Sequence, residues 1–353
     1  MYRLSALACL ANLVTSVPLA PTTNIPGTLE SPNSLGLTAP AGVTLKSFGT
    51  LNNIDPRFSL LMQYASTIRL PSLPTYMSAV ETLTKLVSKP YEEMQEPKTF
   101  ETTAFPEVNI HVTGGVFPPE GGALPDLPLP RKYAIWGIQQ GLYQIGLRGL
   151  QNIYTLTVCS LRLDGRDVGT VVFQPGGGAF SPPIDLHLIG REIAGQEPAK
   201  QAGAVDNTEP ASEEVTEQDP TGPTSNPTWV GRFDPAFAIT NVSMPGFFNS
   251  LAFGLAEVAP HDPSARVTPF RGNLDEMEAF LDVRFTDQQR TAFPFFTNEW
   301  AAFGFQRSAR AGADRIRQRL DLTQMEGTVS LEQQGTTTRV PIGIIGVYHQ
   351  ATP

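Results

Sequence analysis

What most constrains this chain is a pattern of elements that occurs twice. Residues 130–174 read as an amphipathic helix followed by two strands. Ile135, Ile138, Leu142 and Ile145 recur at helical spacing and share one face. Asp164-Gly165 then separates two β-rich runs, which is the chemistry of a two-residue hairpin turn. A second helix of this kind runs through Trp300, which we match with Trp136, and the likeness extends upstream of both. Asp55-Pro56-Arg57-Phe58 is echoed by Phe233-Asp234-Pro235-Ala236-Phe237, and Leu73-Pro74 by Met244-Pro245. Each of the latter prolines sits where a first helical turn accepts one. Tyr76, Ala79, Leu83 and Leu86 mark the buried face of the first helix; Phe248, Leu251, Leu255 and Val258 mark that of the second. Val108, Ile110 and Val112 alternate as a half-buried strand, and we match them with Leu281, Val283 and Phe285. The spacing between matched residues drifts only across loops, as in duplicated modules with surface insertions.

The second copy blurs at its end. Arg315–Leu322 (RIRQRLDL) alternates with period two and reads as a strand, as do Val340, Ile342 and Ile344. Gly335 supplies a turn between strands, but Gly327-Thr328-Val329 also resembles Gly169-Thr170-Val171, so two registers stay open. The expected fold is α+β: two homologous tandem modules of β-α-β-α-β-β type, with mixed or antiparallel sheets.

Thirty-two prolines and 31 glycines in 353 residues point to globular modules joined by irregular segments. Arg3 and the apolar run Leu4–Val14 read as a secretory signal over 1–16, with cleavage expected before Val17. That run is too short to span a bilayer, so no membrane anchor is expected. Residues 17–54 form a Pro/Thr/Gly-rich lead-in, and 55–193 the first module with a C-terminal tail. Residues 194–228 carry seven acidic side chains against Lys200 and almost no apolar ones, which reads as a disordered acidic linker. The second module occupies 229–353.

The helix Ala134-Ile135-Trp136-Gly137-Ile138, followed by the hairpin Gly165-Arg166-Asp167-Val168-Gly169, resembles a group of uncharacterised secreted proteins of filamentous ascomycete fungi. The likeness covers each module. It implies a fungal source and an extracellular compartment, and carries no activity with it.

The chemistry-bearing residues exclude more than they assign. A net charge of −9 argues against nucleic acid as a partner. There is no G-x-S-x-G elbow, no HExxH, no CxxC and no EF-hand spacing, so we expect no catalytic, metal-binding or cofactor-binding residues. The four histidines (111, 187, 261, 349) are scattered, and His111 reads as an exposed or locally held sheet residue whose counterpart is Arg284. Glu92-Glu93 and Asp275-Glu276 read as solvated loop acids, and the dibasic pair Arg131-Lys132 as an exposed processing site of little weight. Cys159, the one cysteine outside the signal, lies in an apolar strand and reads as an inert thiol. Asn241-Val242-Ser243 is the single glycosylation sequon. Trp136 and Trp300 read as structural.

The candidate ligand surface is arginine. Arg315, Arg317 and Arg319 would stand on one strand face, with Arg307 and Arg310 on the preceding helix, a set suited to phosphate, sulfate or uronate. The expected function is that of a secreted, non-catalytic binding or structural protein, such as a fungal effector or cell-surface factor. Its partner would be a protein, a glycan or a small hydrophobic ligand. The alternative is a secreted enzyme with a pocket between the modules, acting on a hydrophobic metabolite or a glycan.

Overall fold

The computed structural model of the protein describes residues 54–116, 126–149, 154–176, 227–233, 242–274, 277–282, 296–332 and 339–349. All of them fall in one compact unit. The signal, the lead-in, the tail beyond 176, nearly all of the acidic linker, Asn241 and His187 lie outside the described residues.

The first half runs β1 (Phe58–Arg69), α1 (Ser72–Val87), β2 (Met94–Gln95), β3 (Lys98–Phe100), β4 (Val108–Thr113), β5 (Leu129–Pro130), α2 (Arg131–Gly149), β6 (Thr155–Leu163) and β7 (Arg166–Pro175). The second runs β8 (Pro227–Phe233), α3 (Met244–Val258), β9 (Phe270–Leu274), β10 (Met277–Asp282), α4 (Asn298–Arg317), β11 (Met325–Glu332) and β12 (Arg339–His349). The fold is α+β, and every strand pair among the described residues is antiparallel. One five-stranded sheet has the order β1-β6-β7-β4-β3, the other β8-β11-β12-β10-β9. Read along the chain, these are the same arrangement. β8 begins at Pro227, two residues inside the span read as linker.

The elements follow local signals. The α1 face Tyr76, Ala79, Leu83 and Leu86 is buried throughout, as is the α2 face Ile135, Ile138, Leu142 and Ile145. Ser243 caps α3, its hydroxyl accepting from the Gly246 amide at 3.1 Å, and Thr297 caps α4 by accepting from the Trp300 amide. Asp164 and Gly165 both take positive φ (51° and 74°), as a type I′ turn requires between β6 and β7.

The helices lie between the two sheets. α2 packs on β1, β6 and β7, and α1 on β4; α3 packs on β9, β10 and β12, and α4 on β8, β11 and β12. The pairs then meet face to face, α1 against α3 and α4, and α2 against α3. Aromatic rings fill the interior of the seam between the halves. The Tyr76 ring stacks on Phe248 (5.4 Å between centroids, 19° between planes), and Phe248 meets Phe247 edge to face. Gly146 allows α2 to approach α3, since a Cβ there would fall 2.7 Å from the Asn249 amide nitrogen. One hydrophobic core runs through both halves. Among the described residues no helix is long and apolar enough to cross a membrane.

Several residue matches shift. Gly137 lies against Leu161 and Val171 of the first hairpin, and Gly304 against Val329 and Ile345 of the second. Leu161 pairs with Gly169 as Val329 pairs with Gly343, so Gly137 and Gly304 hold equivalent places. Trp136 therefore corresponds to Phe303, and Trp300 falls one turn earlier, at the place of Tyr133. Val112 pairs with Val171 as Leu281 pairs with Ile345, so Leu281 answers Val112 rather than Val108. His111 then corresponds to Phe280 and not to Arg284; residues 283–285 lie outside the described residues. Gly327-Thr328-Val329 belongs to β11, the counterpart of β6, so its likeness to Gly169-Thr170-Val171 in β7 is coincidental. The Asp-Pro echo also fails by position. Asp55-Pro56 precedes β1, whereas Phe233 ends β8. In the first half the motif is a clip: Arg57 binds Asp55 at 2.7 Å and reaches Asp164 of the hairpin turn at 3.3 Å. Arg57's side-chain hydrogen bonds hold the Asp55 carboxyl down at about 2.

Candidate functional site

The period-two reading of RIRQRLDL is overturned. Arg315 and Arg317 lie in the last turn of α4, and the helix closes through Arg319 at φ 59°. The Arg319 amide donates to the Ile316 carbonyl and the Leu320 amide to the Arg315 carbonyl. That is a Schellman closure with arginine where glycine is usual. A continuous helix from Asn298 puts the alternating arginines on different faces, since neighbours two apart sit about 200° apart around the axis.

The five arginines accordingly divide. Arg307, Arg310 and Arg317, together with Asp314, follow helical spacing and form one stripe about 15 Å long. Arg315 turns away, stacking over Phe233 (4.4 Å) and donating to the Asp321 carbonyl. Arg319 is exposed at the helix end.

The stripe is one wall of an open groove across the seam. The opposite wall comes from the first half: Glu81 and Lys85 on α1, Lys98 on β3, and Thr103–Phe105 after it. This part has a volume of about 850 Å³. It continues past Arg310 and Asp314 into a second hollow of about 440 Å³, bounded by Thr228 and Trp229 of β8 and by Phe303, Arg307 and Ala311 of α4. Five cations and two carboxylates line the whole.

Contacts fix this surface. Arg310 donates twice to Glu81 Oε1, at 3.1 and 3.3 Å, joining α4 to α1. Glu81 is nearly buried (5%) while Arg310 is 40% exposed, so the arginine keeps an accessible edge. Arg317 stacks on Phe105 (4.3 Å), donates to the Ala104 carbonyl, and lies 3.9 Å from Asp314. Lys85 donates to the Glu101 carbonyl. Lys98 and Arg307 lie over the rings of Phe100 and Phe303. Among the described residues neither has a carboxylate partner.

The other singled-out residues do not converge here. His111 is buried, not exposed; its Nδ1 lies 3.0 Å from the Thr99 hydroxyl, and burial depresses its basicity. β4 as a whole is buried on both faces, not half-buried. Cys159 is free and buried, and burial raises its thiol well above the ordinary range. Glu92 pairs with Lys132 (2.6 Å) and Glu93 with Arg131 (3.3 Å). Arg131 is 3% exposed at the start of α2 and also donates to the Pro90 carbonyl, so the dibasic pair is not an exposed loop. Trp136 is buried among Phe58, Tyr91 and Tyr133, and Trp300 is half-buried. Among the described residues no group of three or more His, Cys, Asp or Glu comes together as metal ligands.

The sequence reading missed Lys85 and Lys98, which lie more than two hundred residues before the arginines. It also missed the aromatic end at Trp229 and Phe303. Helical spacing of Arg307, Arg310, Asp314 and Arg317 was the available signal for the first wall; nothing local marks the second.

Comparison with protein-family models, curated proteins and solved structures finds no match for the chain.

Proposed function

We propose that the protein is a secreted, non-catalytic binding protein, formed by duplication of one α+β module and working through the groove at the seam. The observation that carries the reading is charge: five cations gather in one groove on a chain whose net charge is −9. A net-acidic protein that concentrates cations in one concave strip is arranged to attract an anionic ligand there. The matching strand orders and the equivalent places of Gly137 and Gly304 support duplication. Aromatic packing closes the interior between the halves, so the open groove rather than an enclosed inter-module pocket is left for a ligand, which favours binding over the enzyme alternative. The Arg3–Ser16 pattern supports secretion, the sequon at Asn241 suits a glycoprotein, and the helix-hairpin likeness suits a fungal source.

The test is binding of the native protein to a panel of immobilised extracellular polymers, acidic and neutral. It is compared with a triple variant, Lys98→Gln, Arg307→Gln and Arg317→Gln, whose circular dichroism matches wild type. We expect salt-sensitive retention on acidic polymers that the variant loses. Equal retention of the two proteins on every polymer would refute the groove.

A further inference from the structure

Asp314 narrows the ligand of the groove, an argument that rests on the binding reading above. Its side chain is 64% exposed, it borders both hollows, and its nearest cation, on Arg317, stands 3.9 Å away. A densely charged polymer such as polyphosphate would bring its own charges against this carboxylate, where like charges repel. A hydroxyl-bearing polymer would instead donate to it, forming charge-assisted hydrogen bonds. The aromatic end adds a second, independent observation. Trp229 and Phe303 are both partly exposed and border the same hollow as Arg307, whose guanidinium lies over the Phe303 ring, so aromatic surface stands beside a cation. Ring faces suit the apolar face of a sugar, whereas isolated anions gain nothing from them. Finally, Lys98 and Arg307, at opposite ends, are held over rings and make no ion pair among the described residues. Cations so separated match acidic groups spaced along a chain better than one compact anion. The stripe's length of about 15 Å likewise suits an oligomer.

We propose that the groove binds a linear acidic glycan of the uronate class. A ring lies against Trp229 and Phe303, hydroxyls donate to Asp314, and carboxylates meet Arg307, Arg317 and Lys98. The glycan crosses the seam, so both halves contribute to one site.

The experiment is calorimetric titration of the full-length protein with three probes: an oligogalacturonate of defined length, its methyl ester, and inorganic polyphosphate. The ester keeps the rings and removes the charge. We expect the oligogalacturonate to bind, and the ester to bind about tenfold more weakly or worse. The Lys98→Gln/Arg307→Gln/Arg317→Gln variant should lose about tenfold or more, as three exposed charge contacts allow. Asp314→Asn should weaken oligogalacturonate and strengthen polyphosphate, reversing selectivity. Equal affinity for acid and ester would overturn the proposal. If polyphosphate binds more tightly and the triple variant abolishes it, the glycan assignment falls while the groove stands. If no probe binds, or the variants change nothing, both readings fall.

Discussion

Phe248 offers a test of whether the two halves are one folding unit. Its side chain is fully buried on α3, stacked on Tyr76 of α1 and in contact with Phe247. Truncation to alanine removes a buried ring and leaves a cavity, at a cost of about 3–5 kcal/mol. Lost ring–ring contact with Tyr76 accounts for about 1 kcal/mol of that. The ring sits in the second half, but the cavity is shared, so the loss should destabilise both halves together. With a urea dependence of about 3 kcal/mol per molar, the midpoint should fall by roughly 1–1.7 M. Tryptophan fluorescence separates the halves, because Trp136 lies in the first while Trp229 and Trp300 lie in the second. In a Trp229→Phe, Trp300→Phe background, Trp136 alone reports the first half. We expect Phe248→Ala to move the Trp136 transition as far as it moves the second-half signal in a Trp136→Phe background. A Trp136 midpoint that stays in place would refute the single core.

Two further outcomes follow from particular residues. Arg319 closes α4 at φ 59°, a conformation that costs an ordinary residue roughly 1 kcal/mol and glycine little, so Arg319→Gly should raise stability by up to about that amount; a lower thermal midpoint would contradict the closure. Burial depresses the His111 imidazole from its ordinary 6.5, so the folded protein holds it neutral while the unfolded chain takes up a proton below that pH. Its contribution to stability is therefore full above about pH 6.5 and is lost as pH falls through the folded value, at no more than about 1.4 kcal/mol per pH unit. Substituting phenylalanine, the residue at the matching place in the second half, should flatten the acid side of the stability profile measured by urea unfolding between about pH 7 and 5. An unchanged slope would assign the acid sensitivity to other groups.

What the sequence made legible was whatever a local period decides. The α1 and α2 faces and the Asp164-Gly165 turn depend on side chains within one or two turns of each other, and each lies where the pattern put it. Alignment of the two halves was less legible because rare residues attract matches. Tryptophan is conspicuous, but a half-buried Trp300 and a buried Trp136 answer to different surroundings, and packing tolerates either one turn away. Glycine aligned the halves better. At Gly137 and Gly304 a helix passes over its hairpin so closely that a Cβ would meet a side-chain methyl, of Leu161 in one half and of Ile345 in the other.

The candidate site shows the same limit at longer range. Arg315, Arg317 and Arg319 satisfy period two by themselves, and only the run from Asn298 onward, capped by Thr297, decides for a helix. Once that period is set, Arg307, Arg310, Asp314 and Arg317 share a face, and Arg315 is assigned to Phe233 instead. The helix alone still gives only half a site. Glu81 and Lys85 reach the stripe because α1 packs against α4, and that contact belongs to the seam between sheets rather than to any segment. Glu81 is the informative member. A nearly buried carboxylate needs a partner, and here the partner comes from the other half of the chain. Its bond to Arg310 therefore does two things: it neutralises a charge the core could not hold alone, and it fixes α4 so that Arg307, Asp314 and Arg317 face Lys85 and Lys98. The groove is in this sense a consequence of how the two halves close on each other, which is why neither half's sequence announces it.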